Sequence, residues 1–186
     1  MKGEHTNGGY DLEGVIWHQH SNHLMKKILE YFPKDIPFKD LECGHNFYVS
    51  VLNYAGYKAT GYDVVDLGSL YYVFGDLTRS MKWDYEEGDG KSNVISLEVG
   101  EHIPIESTDI YLENITRYKG DIIMSWAIPG QAGIGHINCQ SNDWAIDQMS
   151  KRGYSIDIEK TNSLRDAVKD CHCSWFRNTL MYFTCE

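Results

Sequence analysis

The chain has 186 residues, with 27 acidic against 17 basic side chains and a net charge of −10. That length suits one domain around one core, and the acidic balance disfavours sequence-independent attraction to nucleic-acid phosphates. No run approaches the ~18 apolar residues of a membrane span and the N-terminus lacks a signal-peptide core, so a soluble, cytoplasmic protein is expected.

In chain order, Trp17, Leu24, Ile28 and Leu29 fall at helical spacing, with Ser21 or Asn22 able to cap. Pro37 to Asp63 then reads as strand, tight turn, helix and second strand. Phe38, Asp40 and Leu41 close the first strand, Cys43 to Asn46 turn, Phe47, Val51, Leu52 and Ala55 line a buried helix face, and Gly56 stops that helix. Asp63 follows the turn by about twenty residues, the distance at which an acid at a strand tip meets the ribose of a nucleoside cofactor. A short crossover leads to a third strand at Tyr71–Phe74, and Asp84 to Ser92 is a polar loop before a fourth strand at Val94–Leu97. Ile105 to Tyr118 is an amphipathic helix with Ile110, Tyr111, Ile115 and Tyr118 inward, and Asp121–Trp126 is a fifth strand. The following loop, PGQAGIGHIN, holds three glycines. Ser141–Lys151 is a helix packed through Trp144, Ala145, Gln148 and Met149, and Tyr154–Ile158 and Asn178–Thr184 are the last strands.

Four segments, DLECGHNFY (40–48), GYD (61–63), GDL (75–77) and VISLEVGEHIP (94–104), occur in an order and spacing that resembles the class I S-adenosylmethionine (SAM) dependent methyltransferases. The run SWAIPGQAGIGHIN (125–138) looks like the fifth strand and loop of small members of that family. The resemblance implies a single domain over residues 1–186: a Rossmann-like α/β three-layer αβα sandwich with a seven-stranded, mostly parallel sheet and an antiparallel last strand. Residues 1–36 would form a helical segment covering the cofactor edge. It further implies SAM as cofactor and a methyl acceptor recognised by loops, either a small molecule or an exposed oxygen or nitrogen group. One departure stands out. Where the family turn carries three glycines, this chain has Glu42, Gly44 and Asn46. Glu42 adds bulk and charge where the cofactor would pass; it either pairs with the cofactor's ammonium or sulfonium or leaves the protein a catalytically inactive, methyltransferase-like binding or scaffold module.

The cofactor-binding residues implied are Asp40, Glu42, Cys43, Gly44, Asn46, Asp63, Val64, Asp76, Leu77 and Glu98. Asp76 with the Leu77 backbone would meet the adenine; the competing reading makes Asp76 a cap on Thr78 and Ser80. Glu98, Glu101 and His102 arrive at the carboxyl end of the fourth strand, where open α/β sheets bind ligands. Glu98 and His136 are the candidate catalytic groups, as base or acceptor-holding residues, with Gln131 and Asn138 beside His136. Glu101 and His102 are read chiefly as ordering the loop. Five cysteines in a chain without a secretory signal read as free thiols. The Cys171, His172, Cys173 run lacks four ligands at zinc spacing, and no metal site is assigned.

Overall fold

The computed structural model describes residues 19–66, 68, 70–82, 90–169 and 172–185. Seven strands form one sheet: β1 (Phe38–Leu41), β2 (Ala59–Asp63), β3 (Tyr72–Phe74), β4 (Ser92–Ser96), β5 (Lys119–Met124), β6 (Tyr154–Ile156) and β7 (Met181–Cys185), ordered β3-β2-β1-β4-β5-β7-β6. The pairs among β1 to β5 are parallel, and β7 runs antiparallel to both β5 and β6. The order reverses between β1 and β4, which places a crevice at their carboxyl ends. Two apolar layers flank the sheet. One gathers Leu24, Ile28, Phe32, Val49, Leu52, Leu164 and Phe176; the other gathers Tyr62, Leu77, Tyr111, Ile115, Trp126 and Met149.

Helix α1 (Asn22–Tyr31) starts at Ser21, whose hydroxyl accepts the Leu24 N–H at 3.2 Å. Its buried face of Leu24, Met25 and Ile28 packs in the first apolar layer, and just before the helix the Ser21 N–H donates to the Tyr48 hydroxyl and His20 stacks on Phe47. Trp17 and the rest of the expected covering segment up to residue 18 lie outside the described residues.

Helix α2 (Phe47–Tyr54) is rotated from the expected face: Tyr48, Val49 and Leu52 are buried, while Phe47, Val51 and Ala55 are only partly so. Gly56 ends it at φ 88°. A single-turn 3-10 element, Ile105–Ser107, precedes α3 (Thr108–Thr116), so Ile105 is exposed and the helix begins later than the apolar pattern suggests. Helix α4 (Asn142–Ser150) is capped by Ser141, whose hydroxyl accepts the Trp144 N–H, and buries Ala145 and Met149.

The tail departs most from expectation. Strand β6 stops at Ile156, and Asp157 caps a helix that was not anticipated, α5 (Ile158–Val168), by accepting the Lys160 N–H. Asn178 belongs to a short helix, α6 (Phe176–Thr179), and β7 begins only at Met181. No described helix is long and apolar enough to cross a membrane.

Candidate functional site

The turn after β1 keeps a glycine-like backbone without the glycines. Glu42, Gly44 and Asn46 have φ of 66°, 50° and 59°. An L side chain in this region costs roughly 1 kcal/mol or more, so the surroundings must impose it. The Glu42 and Cys43 N–H groups donate to the Tyr62 carbonyl at 2.8 and 3.0 Å, and the Gly44 N–H donates to Asp63 Oδ2 at 2.9 Å. Gly61 completes the fit: a Cβ there would collide with the Cys43 and Asn46 side chains. The DLECGHN and GYD segments are thus one unit, clamped edge to edge.

Asp63 is 1% exposed, and its second oxygen accepts the Val65 N–H at 2.9 Å. Asp76 Oδ1 accepts the Thr78 N–H and hydroxyl at 2.9 and 2.6 Å, and Oδ2 lies 3.4 Å from the Arg79 Nε. Leu77 is buried, with its carbonyl held by the Asn114 amide. Val64 is half-buried beside them. The remaining rim groups are less satisfied. Asp40 Oδ2 and Asn46 Oδ1 are buried with no hydrogen-bond partner. Among the described residues the Glu42 carboxylate has neither hydrogen bond nor ion pair, and burial, then the Asp63 and Asp76 carboxylates, hold its pKa well above the ordinary range. Burial and Asp63 push Asp40 up to about 8. Burial also raises the Cys43 thiol, so it is no nucleophile at neutral pH.

Asp40 carries a stability consequence. Its folded pKa, near 8, exceeds the unfolded value near 4, so between those pH values the folded state holds the extra proton and stability falls as pH rises. Asp40→Asn is expected to remove that part of the loss, on the order of 3 kcal/mol between pH 5 and 8. Thermal unfolding at the two pH values checks it; parallel losses in wild type and variant would place Asp40 in a better solvated site.

A second cluster lies across the crevice. Glu98 follows β4 at φ 56°. Its N–H donates to the Ser125 hydroxyl at 2.7 Å, and that hydroxyl donates to Glu98 Oε1 at 2.8 Å. The Gln131 amide reaches Oε2 at 3.4 Å. Burial pushes Glu98 up to about 7, with these hydrogen bonds opposing. Glu101 is 0% exposed, and burial, then the Glu98 charge, raise its pKa. Its backbone carbonyl accepts the Ile137 and Asn138 N–H groups, both at 2.9 Å, which fastens the glycine-rich loop to the β4 turn. Asn138 is a buried brace: its amide donates to the Ile103 carbonyl and the Thr108 hydroxyl, and its carbonyl accepts the Trp126 indole N–H. His136 is folded inward, Nδ1 at 3.3 Å from the Gln131 carbonyl and Nε2 at 4.0 Å from Glu101 Oε1.

The sequence-predicted residues therefore collect on one sheet edge in two groups, Asp40, Glu42, Cys43, Gly44, Asn46, Asp63, Val64, Asp76 and Leu77 over β1 to β3, and Glu98 with His136 over β4 and β5. Sequence reasoning missed Ser125, which locks Glu98. Its signal was small: one serine directly after the apolar run Ile122 to Met124. Cys171 and residues 83–89, which hold most of the polar loop expected over Asp84 to Ser92, lie outside the described residues.

No protein-family model and no curated protein matches the chain. Solved structures do match, at low identity. The magnesium protoporphyrin IX methyltransferase ChlM from Synechocystis PCC 6803, with bound SAH, is similar at 17% identity over 78% of this chain and 83% of its own, TM-score 0.53. The methyltransferase domain of bacterial CtHen1-C is similar at 16% identity over 87% of this chain and 94% of its own, TM-score 0.58. A pericyclic reaction enzyme is similar at 10% identity over 92% of this chain but 50% of its own, TM-score 0.54. The strand order, the antiparallel β7 and these likenesses agree: the chain has the fold of the class I SAM-dependent methyltransferases.

Proposed function

We propose that the protein binds SAM over β1 to β3 and transfers its methyl group to a small-molecule or exposed oxygen or nitrogen acceptor beside Glu98. The observation that carries the cofactor reading is the rim itself: left-handed backbone at Glu42, Gly44 and Asn46, orphaned buried oxygens on Asp40 and Asn46, and an unpartnered Glu42 carboxylate. Such an acceptor-rich, carboxyl-lined rim suits a ligand with N–H donors and positive charge, whose arrival would draw the raised pKa values of Asp40 and Glu42 back down and ionise them. SAM carries an ammonium and an electrophilic methyl on a sulfonium. Glu42 and Asp40 would hold its cationic part, Asp63 would fix the turn and meet the ribose side, and Asp76 with Leu77 would border the adenine. ChlM, with bound SAH, supports the same assignment by likeness of fold.

On the acceptor side, Glu98 is the proposed base. It sits at a strand end, rigidly held by Ser125, with a pKa near 7 that suits proton removal at neutral pH. His136 is the second candidate. Its ring nitrogens both face protein atoms, which favours Glu98 as the group that meets the acceptor. The test is incubation with methyl-labelled SAM and a fractionated small-metabolite extract. Enzyme-dependent label in a new product supports the proposal; its absence across all fractions, with SAM bound, argues for a binding protein instead.

A further inference from the structure

We propose that Glu101, His102 and His136 form a site for one divalent transition-metal ion, which clamps the glycine-rich loop to the turn after β4. One ligand atom from each residue lies within 4.8 Å of the other two. The cluster joins residues that are adjacent on the turn to one 34 positions further along, so only the fold brings them together.

Three independent features point to a cation. First, both Glu101 carboxylate oxygens are buried and make no hydrogen bond. The N–H groups of Glu101 itself and Ala127, and the Glu98 carboxyl, lie near enough to influence the Glu101 carboxyl but fall short of hydrogen-bond geometry. A carboxyl buried without a hydrogen bond is costly, and His136 Nε2 stands 4.0 Å from only one of its oxygens. Second, each imidazole has its Nδ1 against a backbone carbonyl, His102 on Gly135 at 3.2 Å and His136 on Gln131 at 3.3 Å. A carbonyl only accepts, so Nδ1 carries the proton and Nε2 the lone pair, the tautomer found when a histidine binds a metal and its far N–H is held by a carbonyl. Third, the rings pack edge to face with centroids 5.1 Å apart, and Gly133 lies so close to the His136 ring that a Cβ would displace it. The imidazole's position is therefore built by its own loop.

Metal bonds of about 2.0–2.2 Å require ligand atoms roughly 3 to 3.5 Å apart, so binding draws the cluster in by about an ångström. Gly130, at φ 89°, and Gly135, at φ 72°, precede His136 in the loop that would yield. Two imidazoles and one carboxylate suit manganese, iron, cobalt or zinc better than magnesium or calcium, which prefer all-oxygen sets. Consequently the ion would order the loop that carries Gln131 toward Glu98, whether or not the protein transfers methyl groups.

The experiment uses the full chain without a histidine tag, stripped with chelator and titrated with Co²⁺ while visible absorption is recorded. One equivalent is expected to bind, with loop residues 129–137 gaining protection from hydrogen exchange. His136→Ala and Glu101→Gln are each expected to weaken Co²⁺ binding roughly 100-fold, and Gly133→Ala, which only shifts the ring, about 10-fold. His23→Ala, on the exposed face of α1, should bind as wild type. Far-ultraviolet circular dichroism confirms that each variant is folded; should Glu101→Gln unfold, His136→Ala and Gly133→Ala decide. Folded wild type that shows no saturable Co²⁺ spectrum at 1 mM overturns the site, and so does unchanged affinity in His136→Ala.

Discussion

Asp63→Ala is expected to weaken SAM binding by ~100-fold and to lower thermal stability at the same time. Its carboxylate accepts from the Gly44 and Val65 N–H groups, and the Tyr72 hydroxyl donates to its backbone carbonyl. Removing the side chain leaves two N–H groups without their charged acceptor, each bond worth about 1.5 to 3 kcal/mol. The turn at Glu42, Gly44 and Asn46 then loses the clamp that holds its left-handed backbone. Calorimetric titration and a thermal melt read both effects. Loss of affinity with an unchanged melting temperature would assign Asp63 to the ribose alone; a variant that matches wild type in both would remove Asp63 from the site.

Glu98→Gln is expected to slow methyl transfer by ~100-fold or more while SAM affinity stays within about threefold, the range associated with losing a positioned base. Glutamine preserves the shape and can still accept the Ser125 hydroxyl, so the loop geometry should survive. Single-turnover kinetics with the acceptor separates the chemical step from binding. Wild-type turnover would move the role to His136. An equal fall in affinity and rate would place Glu98 against the cofactor, where the sequence resemblance also put it.

The parts of the fold carried by dense local patterns were legible. The strand, turn, helix and strand pattern ending in Asp63 marked β1 and β2, short apolar runs marked β4 and β5, and Ser141 and Gly153 bracketed α4. Helix α5 was not legible because its buried positions, Thr161, Leu164 and Val168, are few and one is polar. The face of α2 was misjudged because apolar residues surround it, leaving periodicity little to discriminate.

At the site, the glycine pattern misled in an informative way. Glu42 appeared to abandon a turn that needs positive φ, where Asn46 is a mild substitute for glycine, yet the backbone adopts it at both, since Tyr62, Asp63 and Gly61 impose the conformation from the neighbouring strand. That constraint is tertiary, and no single-segment reading contains it. Likewise Glu101 and His136 are unremarkable in isolation; their proximity follows from the Glu101 carbonyl capturing the Ile137 and Asn138 N–H groups.

That the carboxyl-lined rim holds a cationic cofactor, with Glu42 ionising as the cation arrives, is tested most directly by titrating SAM and SAH into wild type and Glu42→Gln. SAH lacks the sulfonium charge. Wild type is expected to bind one SAM with a Kd in the roughly micromolar range and to prefer it over SAH, and Glu42→Gln to lose most of that preference. Absence of saturable SAM binding to folded wild type, together with its appearance in Glu42→Gly, would show instead that Glu42 closes the site.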